Sequence, residues 1–189
     1  YNSAYLQNVI SVFMILFGIN FNAYFLLLTR KFKQLFKIEE IRVYLGVIAV
    51  FTTLIAFNVR GCFGSLRESF HHSLFQVASI ITTTGFSTVD FNQWPAFSKL
   101  LLVLLMFIGA CAGSTGGGMK CSRILLLFKG VKKEMMSLIH PRLVRVHKMD
   151  GQRVQHEVMR SVNAFLVAYL IVIATSILIV SLHCEDMIT

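Results

Sequence analysis

The sequence is poor in charge. Asp, Glu, Lys and Arg make up 14% of its 189 residues and hydrophobic residues 56%, against about 25% and about 45–50% in soluble domains. That balance excludes a water-soluble globular core. Proline is nearly absent, with two residues, so neither a proline-rich linker nor a low-complexity segment divides the chain. The four cysteines, Cys62, Cys111, Cys121 and Cys184, lack metal-ligand spacing and are expected to pack as small hydrophobes. Acidic residues are half as frequent as basic ones, for a net charge of +9. Nucleic acid is not the expected partner, because the basic residues alternate with long uncharged runs in the way that orients helices in a lipid bilayer. No cleavable signal is apparent, and Tyr1 lies at the edge of an apolar run. The chain is therefore expected to be an excerpt of a longer protein.

Five uncharged stretches are present: Tyr1 to Thr29, Val43 to Val59, Ser69 to Val89, Leu100 to Met119 and Ser161 to Cys184. Each is near the ~20 residues of a membrane helix. Arg30, Lys31, Lys33, Lys37 and Arg42 follow the first. Ten more basic residues, from Lys120 to Arg160, separate the last two. The positive-inside rule makes both loops cytoplasmic and leaves Arg60, Arg67 and Lys99 outside. The second stretch then runs outward and the fourth inward, so the third must enter and leave on the external side. Its composition agrees, with Ser69, His71, His72, Ser73, Gln76, Ser79 and Thr82 to Thr84 too polar to face lipid. A re-entrant helix from about Ser65 to Ile81 would reach roughly 24 Å, short of the ~30 Å hydrocarbon core. Thr82 to Trp94 would return as extended chain, tolerated at that depth only against protein or a water-filled path.

Such a hairpin aims backbone carbonyls at one axis, where they replace the hydration shell of a cation. Gly85 permits backbone angles closed to other residues. The hydroxyls of Thr82, Thr83 and Thr84 add hard oxygen ligands, and the helix C-terminus contributes partial negative charge. The fourth stretch, read as one helix from Ser98 to Phe128, would be about 46 Å long. Gly116-Gly117-Gly118 is the expected interruption, since each glycine costs a helix roughly 1 kcal/mol relative to alanine.

These two motifs, Thr83-Thr84-Gly85-Phe86 and Gly109-Ala-Cys-Ala-Gly-Ser-Thr-Gly-Gly-Gly-Met-Lys120, resemble those of the Trk/Ktr/HKT superfamily of potassium and sodium uptake proteins. The bacterial potassium-translocating subunits are the most similar, and the likeness covers essentially the whole chain. It implies an all-α membrane fold in which four helix, pore-helix, helix repeats surround one pore. Residues 1–30 would hold the last helix of a preceding repeat and 41–128 a complete repeat with its filter strand at 82–87. Residues 129–160 would be a basic cytoplasmic linker and 161–184 the first helix of the next repeat. K⁺ would be the transported ion, held through Thr83, Thr84 and Gly85, with Thr82 below and Phe86 above. Gly113, Ser114, Thr115, Gly116, Gly117 and Gly118 would form an intramembrane gating loop with Lys120 as a positive charge at its edge. A multi-pass location in the cell membrane, a homodimer and a cytoplasmic nucleotide-binding regulatory subunit are further implications, with no cofactor and no enzymatic activity.

Other readings attach to the same residues. Gly109, Gly113 and Gly117 have the spacing of close helix packing, and Lys120 could simply snorkel to the interface. The stretch is not a phosphate-binding loop, because Met119 and Cys121 flank the lysine where that motif needs glycine and a hydroxyl. A secondary transporter of another fold, binding a solute at a broken helix, is the competing functional class. His71 and His72 are expected to pack as polar residues of the re-entrant helix. Asp90 lies at the external mouth, and Trp94 with Phe91 and Phe97 reads as an interfacial belt. Asn8, Asn20, Asn22 and Asn163 are expected to bond between helices.

Overall fold

The computed structural model describes residues 3–140 and 148–182, and it divides into two compact units, residues 1–125 and 126–189. Cys184, Arg142 and Arg145, which the sequence reading used, lie outside the described residues. The elements are α1 (Ala4–Phe17), α2 (Phe21–Leu28), a single turn α3 (Phe32–Leu35), α4 (Glu39–Asn58), α5 (Leu66–Ile81), α6 (Ala96–Ile108), α7 (Cys121–Ile139) and α8 (His156–Ser181). Two-residue strands, β1 (Lys148–Met149) and β2 (Gln152–Arg153), pair antiparallel around Asp150-Gly151. They are the one departure from an all-α chain among the described residues.

In the first unit α5 is the centre, packed against α4, α1 and α6. Its start follows from Ser65-Leu66-Arg67-Glu68, a capping-box sequence: the Ser65 hydroxyl accepts from the Glu68 N–H at 3.2 Å. Its buried residues include Ser69, Ser73, Gln76 and Ser79 beside Phe75, Val77, Ala78 and Ile81. The polar helix is thus an interior helix, as the same-side topology requires. Around it Tyr44, Ile48, Ile55 and Val59 of α4 and the α4–α5 connection join Leu101, Leu102 and Leu105 of α6 in one apolar cluster. Trp94 belongs to this cluster, 4% exposed and edge-on to Phe63. It is a core residue rather than part of an interfacial belt, because Pro95 and the start of α6 fold it back under the α4–α5 connection. Cys111 and Cys121 are buried as expected, whereas Cys62 is exposed. It sits on a single 3-10 turn, Arg60–Cys62, between α4 and α5.

Among the described residues two helices, α4 and α8, are long and apolar enough to cross a membrane, and a third span exists if α1 and α2 count as one. That pair departs from the sequence reading, which has one span from Tyr1 to Thr29. The chain instead bends by 92° between them. Gly18 ends α1, and the Asn20 side chain caps α2 by accepting from Asn22 N–H at 2.8 Å. Asn20 is therefore a cap rather than an interhelical bond. The bend exposes backbone groups that a straight helix would satisfy, and their partners come from the glycine-rich loop described below.

The second unit contains most of α7, the β-turn and α8. Gly130 of α7 faces the Met159 side chain of α8, where a Cβ would lie 3.1 Å from the methionine methyl.

Candidate functional site

Two irregular segments meet in the first unit. The first follows α5. Thr83 N–H bonds to Ile80 O at 3.0 Å and Thr84 N–H to Ser79 O at 2.9 Å, the paired bonds of a Schellman ending. The residue at its left-handed position is Thr83, with φ +56°. Glycine is the usual occupant, and a β-branched residue there is a genuine outlier costing about 1–3 kcal/mol. The surroundings hold it. The Thr83 hydroxyl donates to Thr82 O at 2.7 Å and accepts the Gly117 N–H at 2.8 Å.

The helix ending uses the carbonyls of Ala78, Ser79 and Ile80 internally, so the oxygens that remain for a ligand come from the strand after Ile81. Proton positions follow from the bonding pattern. Thr82 Oγ1 donates its one proton to Ala78 O at 2.6 Å, so in its 2.8 Å contact with Thr84 Oγ1 the latter is the donor. Thr83 and Thr84 thus both commit their hydroxyl protons to Thr82, and neither hydroxyl keeps a proton to offer a ligand. Gly85 has φ +81°, the conformation for which glycine is needed. Phe86 O accepts from the buried Ser79 hydroxyl at 2.6 Å, which ties the strand back to α5. Thr82 is buried, while Thr83, Thr84, Gly85, Phe86 and Ser87 are exposed. The extended return is shorter than expected. It covers Thr84 to Ser87, and a 3-10 turn at Phe91–Gln93, capped by Asp90, follows.

The second segment is the loop from Gly109 to Lys120. Helix α6 stops at Ile108, well before Gly116-Gly117-Gly118, so the interruption begins earlier than glycine content alone indicates. Gly109 and Gly118 explain it. A Cβ on Gly109 would lie 2.4 Å from Gly117 O, and one on Gly118 would lie 2.9 Å from the Gly109 Cα. The two ends of the loop touch backbone to backbone, so here the small residues pack the loop on itself. Gly113, Ser114, Thr115, Gly116, Gly117 and Gly118 form its central part. The Lys120 ammonium folds back to donate to Gly116 O.

Backbone groups inside a membrane protein must be paired, and the loop's are paired in three directions. Toward the α1–α2 bend, Cys111 N–H donates to Gly18 O at 3.0 Å and Thr115 N–H to Phe17 O at 3.4 Å, while Phe21 N–H donates to Gly113 O at 3.0 Å. Toward the filter-like strand, Gly117 donates to Thr83. Toward α4, one oxygen of Glu40 accepts Ala112 N–H at 2.6 Å and Ser122 N–H at 3.1 Å. Glu40 is 3% exposed. The sequence reading passed over it. Its signal was an acidic residue placed among cytoplasmic basic ones directly before an apolar run.

The remaining candidates are dispersed. His71 contacts Gln7 of α1 at 2.7 Å and His72 contacts Thr88 at 3.0 Å. Among the described residues no group of His, Cys, Asp or Glu is arranged to hold a metal ion.

The architecture defines a membrane helix, pore-helix, broken-helix repeat of the cation-transporter type. The chain belongs to the TrkH family of cation transport proteins, which it matches over residues 1–188. It is 35% identical over 182 residues to the Trk system potassium uptake protein TrkH of Escherichia coli, a match covering 94% of this chain and 38% of that protein. It is 34% identical over 194 residues to TrkG of the same species, covering all of this chain and 39% of TrkG. Among solved structures, the potassium transporter TrkH from Vibrio parahaemolyticus superposes with a TM-score of 0.87 at 33% identity. That superposition covers 94% of this chain and 39% of the other. The chain thus spans about two fifths of the length of these relatives, and it is a membrane protein.

Proposed function

We propose that this chain forms one quarter of a K⁺-selective filter together with the loop that gates it, in a cell-membrane K⁺ uptake protein. The remaining three quarters would come from other repeats of the same polypeptide. In this reading Thr83, Thr84 and Gly85 present oxygens to the ion, with Thr82 at the inner end and Phe86 at the outer end. Gly113 to Gly118 close the path beneath the filter, and Lys120 places positive charge at the loop's edge. The single observation that carries the reading is the Gly117–Thr83 hydrogen bond, since it joins the two irregular segments at the inner end of the strand. The hydroxyl protons of Thr83 and Thr84, both committed to Thr82, support a cation over an anion.

Residues 1–30 are assigned to the end of a preceding repeat, 41–128 to a complete repeat, 129–160 to a cytoplasmic linker and 161–184 to the start of the next repeat. A homodimer and a cytoplasmic nucleotide-binding regulatory subunit are the proposed partners. The basic residues between Lys129 and Arg160 are either the docking surface for that subunit or a contact with anionic headgroups, worth about 1 kcal/mol per basic residue. Transport involves no covalent chemistry in this reading.

The test is Rb⁺ uptake by cells carrying the full-length protein with Gly85→Asp. Loss of uptake or of K⁺ over Na⁺ preference is expected, because a side chain and a charge enter the strand at φ +81°. Unchanged flux and selectivity would remove the filter assignment.

A further inference from the structure

We propose that Glu40 is the clasp that holds the loop closed, a positioning residue for gating that rests on the reading of residues 109–120 as the gate. The starting point is the cost of its position. A carboxylate in the interior is costly unless its oxygens are hydrogen-bonded, yet Glu40 is buried at the N-terminal end of α4, with one oxygen shared by two backbone donors.

Those donors sit at the two ends of the loop. Ala112 N–H lies four residues past the end of α6, directly before Gly113. Ser122 N–H lies in the first turn of α7, where a helix has no internal partner for it and where negative charge is favoured. A single acceptor therefore gathers the entrance and the exit of the loop at one point on a different helix. Hydrogen bonds to a charged acceptor are roughly twice as strong as neutral ones. The neighbouring bonds have the same effect: Cys121 N–H reaches Ala110 O at 3.0 Å and Met119 N–H reaches Phe107 O at 3.3 Å.

For the central glycines to leave the Thr83 hydroxyl, the loop's ends must hinge or part, and the Glu40 bonds oppose both. Ionic contact with the permeating ion is no part of this role. Glu40 acts through the backbone of the loop.

The experiment uses the full-length protein in planar bilayers, with amide hydrogen exchange measured on the same preparation. Glu40→Ala is expected to raise open probability at least about tenfold, equivalent to about 1.4 kcal/mol, with unchanged K⁺ over Na⁺ selectivity. Exchange should accelerate in the peptide spanning residues 110–123 and not elsewhere. Glu40→Gln keeps an acceptor oxygen without its charge and should fall between wild type and Glu40→Ala in both measurements. Ser122→Pro removes only one donor, at a helix position that tolerates proline, and should shift gating in the same direction. It serves as the second variant should Glu40→Ala fail to assemble.

Deletion of Gly116 to Gly118 is the control for the gate itself. If the deletion raises open probability while Glu40→Ala and Ser122→Pro do not, the clasp is overturned and the gate stands. If the deletion also leaves gating unaltered, the gate reading fails and the clasp falls with it. Faster exchange at 110–123 without any change in gating would make Glu40 a purely structural anchor, which also overturns the proposal.

Discussion

Helices α5 and α8 reverse the relation between polarity and burial familiar from soluble proteins. Half of α5 is buried, including three serines and a glutamine, although it also carries Arg67, Glu68, His71 and His72. Almost nothing of α8 is buried within the chain: its most apolar window is 0% buried, and only Val162 is inaccessible. Lipid accepts leucine and isoleucine as readily as a protein interior does, so an apolar helix such as α8 can face lipid or another helix alike. A serine-rich helix has no such outlet and must be covered by protein. Burial in this chain therefore marks what lipid would reject, and the covered helix is the one that ends at the candidate filter.

The sharpest way to break this comparison is to make α5 resemble α8. Ser79→Leu removes the hydroxyl that holds Phe86 O at 2.6 Å and forces a larger side chain into a filled space. Strain of about 1–3 kcal/mol and an unpaired carbonyl together predict a loss of Rb⁺ uptake greater than about tenfold. An apolar exchange on α8, Leu178→Ala, at a side chain 65% exposed within this chain, should leave uptake within about twofold. Equal effects from the two would end the distinction.

Thr83 sharpens it further. Thr83→Val keeps the shape and loses the acceptor for Gly117 N–H, so open probability should rise by roughly fivefold, about 1 kcal/mol for one hydrogen bond. Thr83→Gly loses the same acceptor and also relieves the left-handed strain. It should gate like Thr83→Val yet be more thermostable in detergent than that variant by about 1 kcal/mol. Single-channel recording and a melting series check the pair, and equal stability would mean that the strain is not real.

Tyr44→Phe removes the bond from the buried phenol to Ile15 O, 3.1 Å long, beside the α1–α2 bend. A stability loss of about 1 kcal/mol is expected in a thermal melt. The smallest effect is expected at Ser73, whose buried hydroxyl has no hydrogen-bond partner among the described residues. Ser73→Ala should be neutral or stabilising, by no more than about 1 kcal/mol. A clear destabilisation would point to a bound water at that hydroxyl.

Much of the fold was legible because charge counts and helix length are properties of the sequence alone. Basic residues on either side of the third stretch force it to return to its own side, and Ser65 with Glu68 marks where its helix begins. The α1–α2 bend was not legible. Gly18-Ile19-Asn20 lies in an uncharged run long enough for one span, and the bend is stable only because Cys111, Gly113 and Thr115 supply hydrogen-bond partners from almost a hundred residues away. Trp94 was misplaced for a related reason, since an aromatic after a polar loop has the same sequence signature at a membrane surface and in a core.

The candidate site divides in the same way. Thr82 to Phe86 and the glycines from Gly113 to Gly118 stand out in the sequence because both depart from the composition a lipid-facing helix needs. Their residue types alone determined that these two segments would be irregular and lie against protein. Only the tertiary structure decided that Thr83 takes the left-handed position, that Gly117 bonds to it, and that Glu40 gathers the loop's two ends. The last two are backbone N–H groups meeting side-chain acceptors distant in sequence, and no local pattern specifies which buried donor will find which acceptor.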